Sequence, residues 1–205
     1  MKIEKFYKVG NIEFSNLKDA KKYIEINKNN SYYFGEEEKE EIALGIKSNV
    51  DVSIYAKHEF DFLQMKEIRL GLEKKLEINW YAKPEFDEYQ MRKIREGLEQ
   101  GLNVSIYANP EFNCSQMYEI FEGLNEGLDV SSYAKVEFDF WQMQQIRLGL
   151  EEGVDVSIYA KEEFTDSQMQ EIRLGLKEGL DISIYANLEY PWGLMREMRL
   201  GLNKN

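Results

Sequence analysis

Apolar and polar positions recur along this chain with a period of 26 residues. Tyr55, Tyr81, Tyr107, Tyr133, Tyr159 and Tyr185 keep that spacing, as do Met65, Met91, Met117, Met143, Met169 and Met195. Gly71, Gly97, Gly123, Gly149, Gly175 and Gly201 do the same, and Gly45 in "IALGI" extends the series upstream. A fixed period between about 20 and 50 residues marks a stacked repeat architecture. Within each unit, Met65, Ile68 and Leu72 fall at i, i+3 and i+7, one stripe of an amphipathic helix. A shorter apolar stretch, "DVSIYA" at 51–56, precedes it.

The longer element carries its own end signals. Asp61 and Gln64 stand three apart, as an N-cap and the third helical position of a capping box, with Phe60 and Met65 placed for a hydrophobic staple. The device recurs at Phe86-Asp87…Gln90, Phe112-Asn113…Gln116, Phe138-Asp139…Gln142 and Phe164-Thr165…Gln168. Gly101, Gly127, Gly153 and Gly179 sit where a left-handed residue ends a helix. The helix so bounded has about twelve residues and is roughly 18 Å long. Gly71 and its equivalents lie inside it, where glycine costs about 1 kcal/mol relative to alanine. Close approach of a neighbouring backbone is the expected reason. "DVSIYA" is balanced between a short helix, capped by Asp51, Asn103, Asp129, Asp155 and Asp181, and a short strand. The recurring cap and the Ala and Ser favour the helix, and Pro84 and Pro110 then mark its exit.

A 26-residue unit is too small to bury a core of its own, so neighbours must complete it. The expectation is an all-α solenoid of two-helix repeats, one long and one short, over residues 51–205. Residues 31–50 form a capping half-repeat with Lys39 in the Met column. Residues 1–30 read as a ββα module: two strands joined at Gly10-Asn11, then a helix capped by Ser15 with Leu17, Ala20, Tyr23 and Ile24 on one side. Residues 27–31 read as a linker. The last repeat replaces "FDFLQM" by "YPWGLM", loses the capping box, and leaves an apolar end for the tail, a second copy or a partner to cover.

The words "QMxEIRLGLEEGLDVSIYAxxEF", over roughly residues 34–205, resemble the short helical repeats of uncharacterised Firmicute phage, plasmid and conjugative-element proteins. "FYKVGNIEFSNLKDAKKYIE" is similar to small leader modules of phage genes. The resemblance implies a mobile-element setting and no particular chemistry. Phe121, in place of Arg, and the last repeat depart from the pattern.

Composition adds a direction. Residues 1–34 carry seven Lys against four Asp/Glu, and the rest carry 19 basic against 34 acidic groups, a balance of −15. Such a body repels nucleic acid and favours basic partners. No apolar run is long enough to span a bilayer, and the lone Cys114 suits a reducing compartment, so the bacterial host's cytoplasm is the expected location. His58 is a single histidine in a loop. Cys114 begins a helix without a partner base, and the pairs Glu59/Asp61, Glu85/Asp87 and Glu137/Asp139 are spent on capping. No catalytic residue, metal site or cofactor is therefore expected.

What varies is the first two helical positions, which hold large aromatics outside the apolar stripe. Phe62, Tyr89, Phe140, Trp141 and Trp192 are the candidate partner-binding residues. The function expected is a non-enzymatic, acidic protein-binding solenoid. In its sharpest form it is an inhibitor of the anti-CRISPR or anti-restriction kind, a DNA mimic occupying the basic groove of a nuclease. The rival is an adaptor that self-associates through its terminal repeat.

Overall fold

The computed structural model describes residues 6–29 and 34–203. The chain is mostly helical, with a small antiparallel hairpin ahead of the helices, β1 (Tyr7–Val9) and β2 (Ile12–Phe14). Tyr7 pairs with Phe14 and Val9 with Ile12, and the turn uses Gly10 at φ +62°. Eight α-helices follow: α1 (Leu17–Asn29), α2 (Glu36–Lys47), α3 (Phe62–Glu73), α4 (Glu88–Glu99), α5 (Cys114–Asn125), α6 (Phe140–Glu151), α7 (Asp166–Lys177) and α8 (Trp192–Leu202). They fall into two compact units, Met1–Glu99 and Gln100–Asn205.

In the first unit, α1 packs on α2, α2 on α3 and α3 on α4, with β2 against α2. Phe14 is fully buried, its ring 5.3 Å from that of Tyr23. The cap of α1 is Asn16 rather than Ser15: the Asp19 amide donates to Asn16 Oδ1 at 2.9 Å. Ala20 and Tyr23 are buried on this helix, whereas Leu17 is 46% exposed. The expected linker is helical as far as Asn29, and its remainder lies outside the described residues, as do Met1–Lys5 of the module. In the second unit, α5 packs on α6, α6 on α7 and α7 on α8.

The local signals act as their chemistry requires. Capping boxes close at Asp61/Gln64, Asn113/Gln116, Asp139/Gln142 and Thr165/Gln168. Asp87 and Gln90 exchange the same two hydrogen bonds at 2.8 Å. At the C-terminus of α5, the Leu128 amide donates to Gly123 O and the Gly127 amide to Leu124 O. This is the doubly bonded left-handed cap, with Gly127 at φ +74°. Asn49 and Lys75 take the same backbone conformation without being glycine.

"DVSIYA" takes the short-helix alternative rather than the strand, in its 3-10 form and with the expected acid as its cap. It is a single 3-10 turn, at Val52–Ile54, Val130–Ser132, Val156–Ile158 and Ile182–Ile184 among others. Asp51, Asp129, Asp155 and Asp181 cap it by accepting from the amide of the serine two residues on. Three residues suffice because the turn's task is to aim Val52, Tyr55 and Ala56 inward, and all three are buried.

The helix-interior glycines have a different cause from the one their position suggests. The atoms nearest to a Cβ added at these positions belong to side chains. A Cβ at Gly71 would collide with the hydroxyl of Tyr81 and lie 3.0 Å from an Ile78 methyl. Gly45, Gly123, Gly149 and Gly175 face Tyr55, Tyr133, Tyr159 and Tyr185 in the same way. Each glycine is a notch for the phenol ten residues on. The hydroxyl then donates to a helix carbonyl: Tyr55 to Glu41 at 3.0 Å, Tyr133 to Glu119 at 3.0 Å and Tyr159 to Gln145 at 3.2 Å.

Two further ties join successive helices. Gln64 Nε2 donates to Phe86 O, Gln116 Nε2 to Phe138 O and Gln142 Nε2 to Phe164 O, all at 2.7 Å. The capping glutamine thus fastens the next loop as well as its own helix. Across the same junctions, Arg69 pairs with Glu41, Arg95 with Glu67, Arg147 with Glu119 and Arg199 with Glu171 at 2.7–2.8 Å. These pairs are largely buried, so removing one partner strands a charge in a poorly solvated interior.

Candidate interaction surface

The first turn of each long helix is built from inside outward. Phe60, buried, ends the loop before α3; Asp61 caps it; Gln64 and Met65 turn inward, the former bonded to the next loop. With both flanks held, the two residues between them point away from the core. The five candidate aromatics occupy these positions. Phe62 is 38% exposed, Tyr89 55%, Trp141 58% and Trp192 50%. Phe140 is only half-buried, packed edge-on against Trp141 with ring centroids 4.7 Å apart. Tyr89 lies under the guanidinium of Arg92 at 5.7 Å, and Arg92 in turn reaches Glu67.

Tyr118 joins this inventory at 42% exposure. Its signal in the sequence is its column, where the other units hold Lys66, Arg92, Gln144, Gln170 and Arg196. Trp80, 37% exposed, stands out similarly from Ile54, Ile106 and Ile158.

The acidity is uneven between the units. Of 26 Lys/Arg and 38 Asp/Glu, residues 100–205 hold 8 and 18, a balance of −10, leaving 18 and 20 in residues 1–99, a balance of −2. Hydrogen bonds favour the ionised form of several of these carboxylates. The hydroxyl and amide of Ser53 hold the Asp51 carboxyl below the usual aspartate range, and Ser131 and Ser183 do the same for Asp129 and Asp181. Hydrogen bonds from Lys177 and Arg173 offset the cost of burial at Glu152 and lower its pKa. Glu119 differs. It is fully buried, burial raises its pKa despite Arg147, and its Oε1 has no hydrogen-bond partner.

Among the described residues no group of three or more His, Cys, Asp or Glu side chains could hold a metal ion. His58 is exposed in its loop and Cys114 is half-buried at the start of α5. Asp61, Asp87 and Asp139, from the "EFD" pairs, are occupied as caps. Among the described residues no helix is long and apolar enough to cross a membrane. The chain matches no family model, no curated protein and no solved structure.

Proposed function

We propose that the chain is a protein-binding scaffold whose second unit grips a basic surface on another macromolecule. The carrying observation is that residues 100–205 combine a −10 balance with Trp141 and Trp192 held half or more exposed at helix starts, that of α6 closed by a capping box. Aromatic anchors in a charged rim are the arrangement from which interfaces draw most of their affinity, and the charge supplies steering. The ordered stacking of helices within each unit supports the solenoid reading, in which such positions line one rim. The likeness to mobile-element repeats sharpens the partner to a host protein that handles nucleic acid. In that form the scaffold is an inhibitor competing with DNA for a basic groove.

The test uses arginine- and lysine-rich nuclease domains as probes, with Trp141 and Trp192 fluorescence reporting binding. Affinity is expected to fall tenfold or more between about 50 and 300 mM salt, since exposed ionic contacts are screened. Trp141→Ser should weaken it by a similar factor, and duplex DNA should displace the scaffold. Binding that ignores salt and survives replacement of Glu162 and Glu163 by Gln would refute the proposal.

A further inference from the structure

Two helix junctions, α3/α4 and α5/α6, are built to one plan and differ in how a buried glutamate is satisfied. At the first, Glu67 is 2% exposed and both of its oxygens are occupied. Arg95, 28 residues on, donates to Oε2 at 2.8 Å, and Arg92, 25 residues on, donates to Oε1 at 3.2 Å. The Arg92 guanidinium also lies 5.7 Å from the centre of the Tyr89 ring. One arginine thus joins an aromatic ring at a helix start to the buried carboxylate behind it.

Two repeats further on, Glu119 takes the place of Glu67, Arg147 of Arg95, Trp141 of Tyr89 and Gln144 of Arg92. Arg147 donates to Glu119 Oε2 at 2.7 Å, as Arg95 does to Glu67. The counterpart of the Arg92 contact is missing. Glu119 Oε1 is buried with no hydrogen-bond partner, and Trp141 is 58% exposed. Gln144 stands close enough to favour the ionised carboxyl, yet Oε1 accepts nothing from it. Gln144 is itself only half-buried. The exchange is confined to this junction. Where the same column holds Glu41, Glu67 and Glu171, the residue 25 positions on is Lys66, Arg92 and Arg196. Glu119 is followed by a neutral side chain instead.

The charges point the same way. Glu67 and Glu99 are met by Arg92, Arg95 and Lys74. Arg147, by contrast, is shared by Glu119, Glu126 and Glu151. A second cation would be attracted to this junction, and a buried oxygen that accepts nothing is costly until a donor arrives.

We propose that Trp141 and Glu119 form a site for an arginine side chain of the basic partner, its guanidinium stacking on the indole and donating to Glu119 Oε1 once Gln144 turns outward. This rests on the reading of the second unit as a grip for basic surfaces, and it names the group that is gripped. Arginine suits the site better than lysine. A planar guanidinium lies on a ring while its edge donates to a carboxylate, whereas an ammonium is a compact point charge. Arg92 makes both contacts at once within the chain itself.

Two blocked peptides test the site, one alternating glycine with arginine and the other glycine with lysine, equal in length and charge. Each is titrated calorimetrically into the full chain at about 50 mM salt, where exposed charges are least screened. The arginine peptide should bind about fivefold more tightly or better, the worth of one cation–π contact. Gln144→Arg supplies the cation from within. It should abolish the preference and raise the melting temperature by about 2 °C or more, with helicity unchanged by circular dichroism. Gln170→Arg makes the same change of charge where the residue 25 positions back is Gln145, and it should alter neither quantity. Trp141→Leu should also abolish the preference. Equal affinity for the two peptides overturns the arginine site and leaves the acidic grip standing. So does a preference that survives Trp141→Leu, or one that Gln144→Arg and Gln170→Arg reduce alike. Failure of both peptides to bind overturns it as well, and the salt dependence of nuclease-domain binding then decides the broader reading separately.

Discussion

Replacing Gly149 by Ala separates local preference from tertiary packing, because the two predict opposite signs. Gly149 lies within α6, where alanine is favoured over glycine by about 1 kcal/mol on propensity alone. In the structure the new methyl would overlap the hydroxyl of Tyr159 and lie 2.9 Å from Val156 Cγ1 and 3.1 Å from Tyr159 Cζ. Tyr159 is fully buried, and its hydroxyl donates to Gln145 O at 3.2 Å, so the ring has no vacant space to enter. Overpacking of this kind costs about 1–3 kcal/mol, and the lost hydrogen bond about 1 kcal/mol more. Less the propensity gain, Gly149→Ala should destabilise by about 1–3 kcal/mol. Gly201→Ala, with nothing in the way, should be neutral or stabilising by up to about 1 kcal/mol. Equilibrium urea unfolding followed by far-UV circular dichroism measures both. Adding Tyr159→Phe to Gly149→Ala should recover part of the loss, since it removes the closest overlap. If Gly149→Ala were as stable as the wild type, or if both alanines moved the midpoint the same way, the notch-and-phenol account would be wrong.

Three other consequences follow from the same contacts. Lys75 holds φ +58° where the neighbouring units have Gly101, Gly127, Gly153 and Gly179, so Lys75→Gly should stabilise by about 1 kcal/mol in thermal or urea unfolding. Arg147→Ala should cost about 3–5 kcal/mol by stranding Glu119. Adding Glu119→Gln should restore part of it in the same assay, because a neutral amide leaves no charge stranded. Burial pushes the phenol of Tyr185 up to about 12 and those of Tyr55, Tyr81, Tyr133 and Tyr159 higher still. The unfolded chain releases these protons first, so the stability involved is intact below the ordinary tyrosine value of 10.0 and is lost as pH rises through the folded values. Tyrosinate absorbance should therefore show the buried phenols ionising only in a step that coincides with loss of helicity. A smooth titration with helicity retained would mean that the phenols are solvated.

Much of the helix layout was legible because its signals are local. A capping box spans four residues and a left-handed cap six, so Asp139/Gln142 and Gly153 report their geometry within a single turn of chain. The twelve-residue length of α3 to α7 follows from the distance between those two signals. The same locality explains what was misplaced and what was left open. Ser15 and Asn16 are both good caps, and packing of Ala20 and Tyr23 under the hairpin selects the register that uses Asn16. "DVSIYA" has letters that suit a helix and a strand, and it becomes a 3-10 turn because burying Val52 and Tyr55 together requires only three residues of helical backbone. Of the candidate site, the exposed placement of Tyr89, Trp141 and Trp192 was readable from positions that change type while their neighbours do not. The half-burial of Phe140 was not, because it depends on the ring of Trp141 beside it.

The sequence by itself determined where each helix starts and stops and which side chains turn inward, since these follow from hydrogen-bonding groups and apolar spacings a few residues apart. Tertiary structure alone decided why glycine sits inside α2, α3, α5, α6 and α7, why a capping glutamine must be glutamine, and which arginine neutralises which glutamate. Those answers lie in contacts 10 to 28 residues apart along the chain. At such separations, shape and distance choose the partner, and residue type merely permits it.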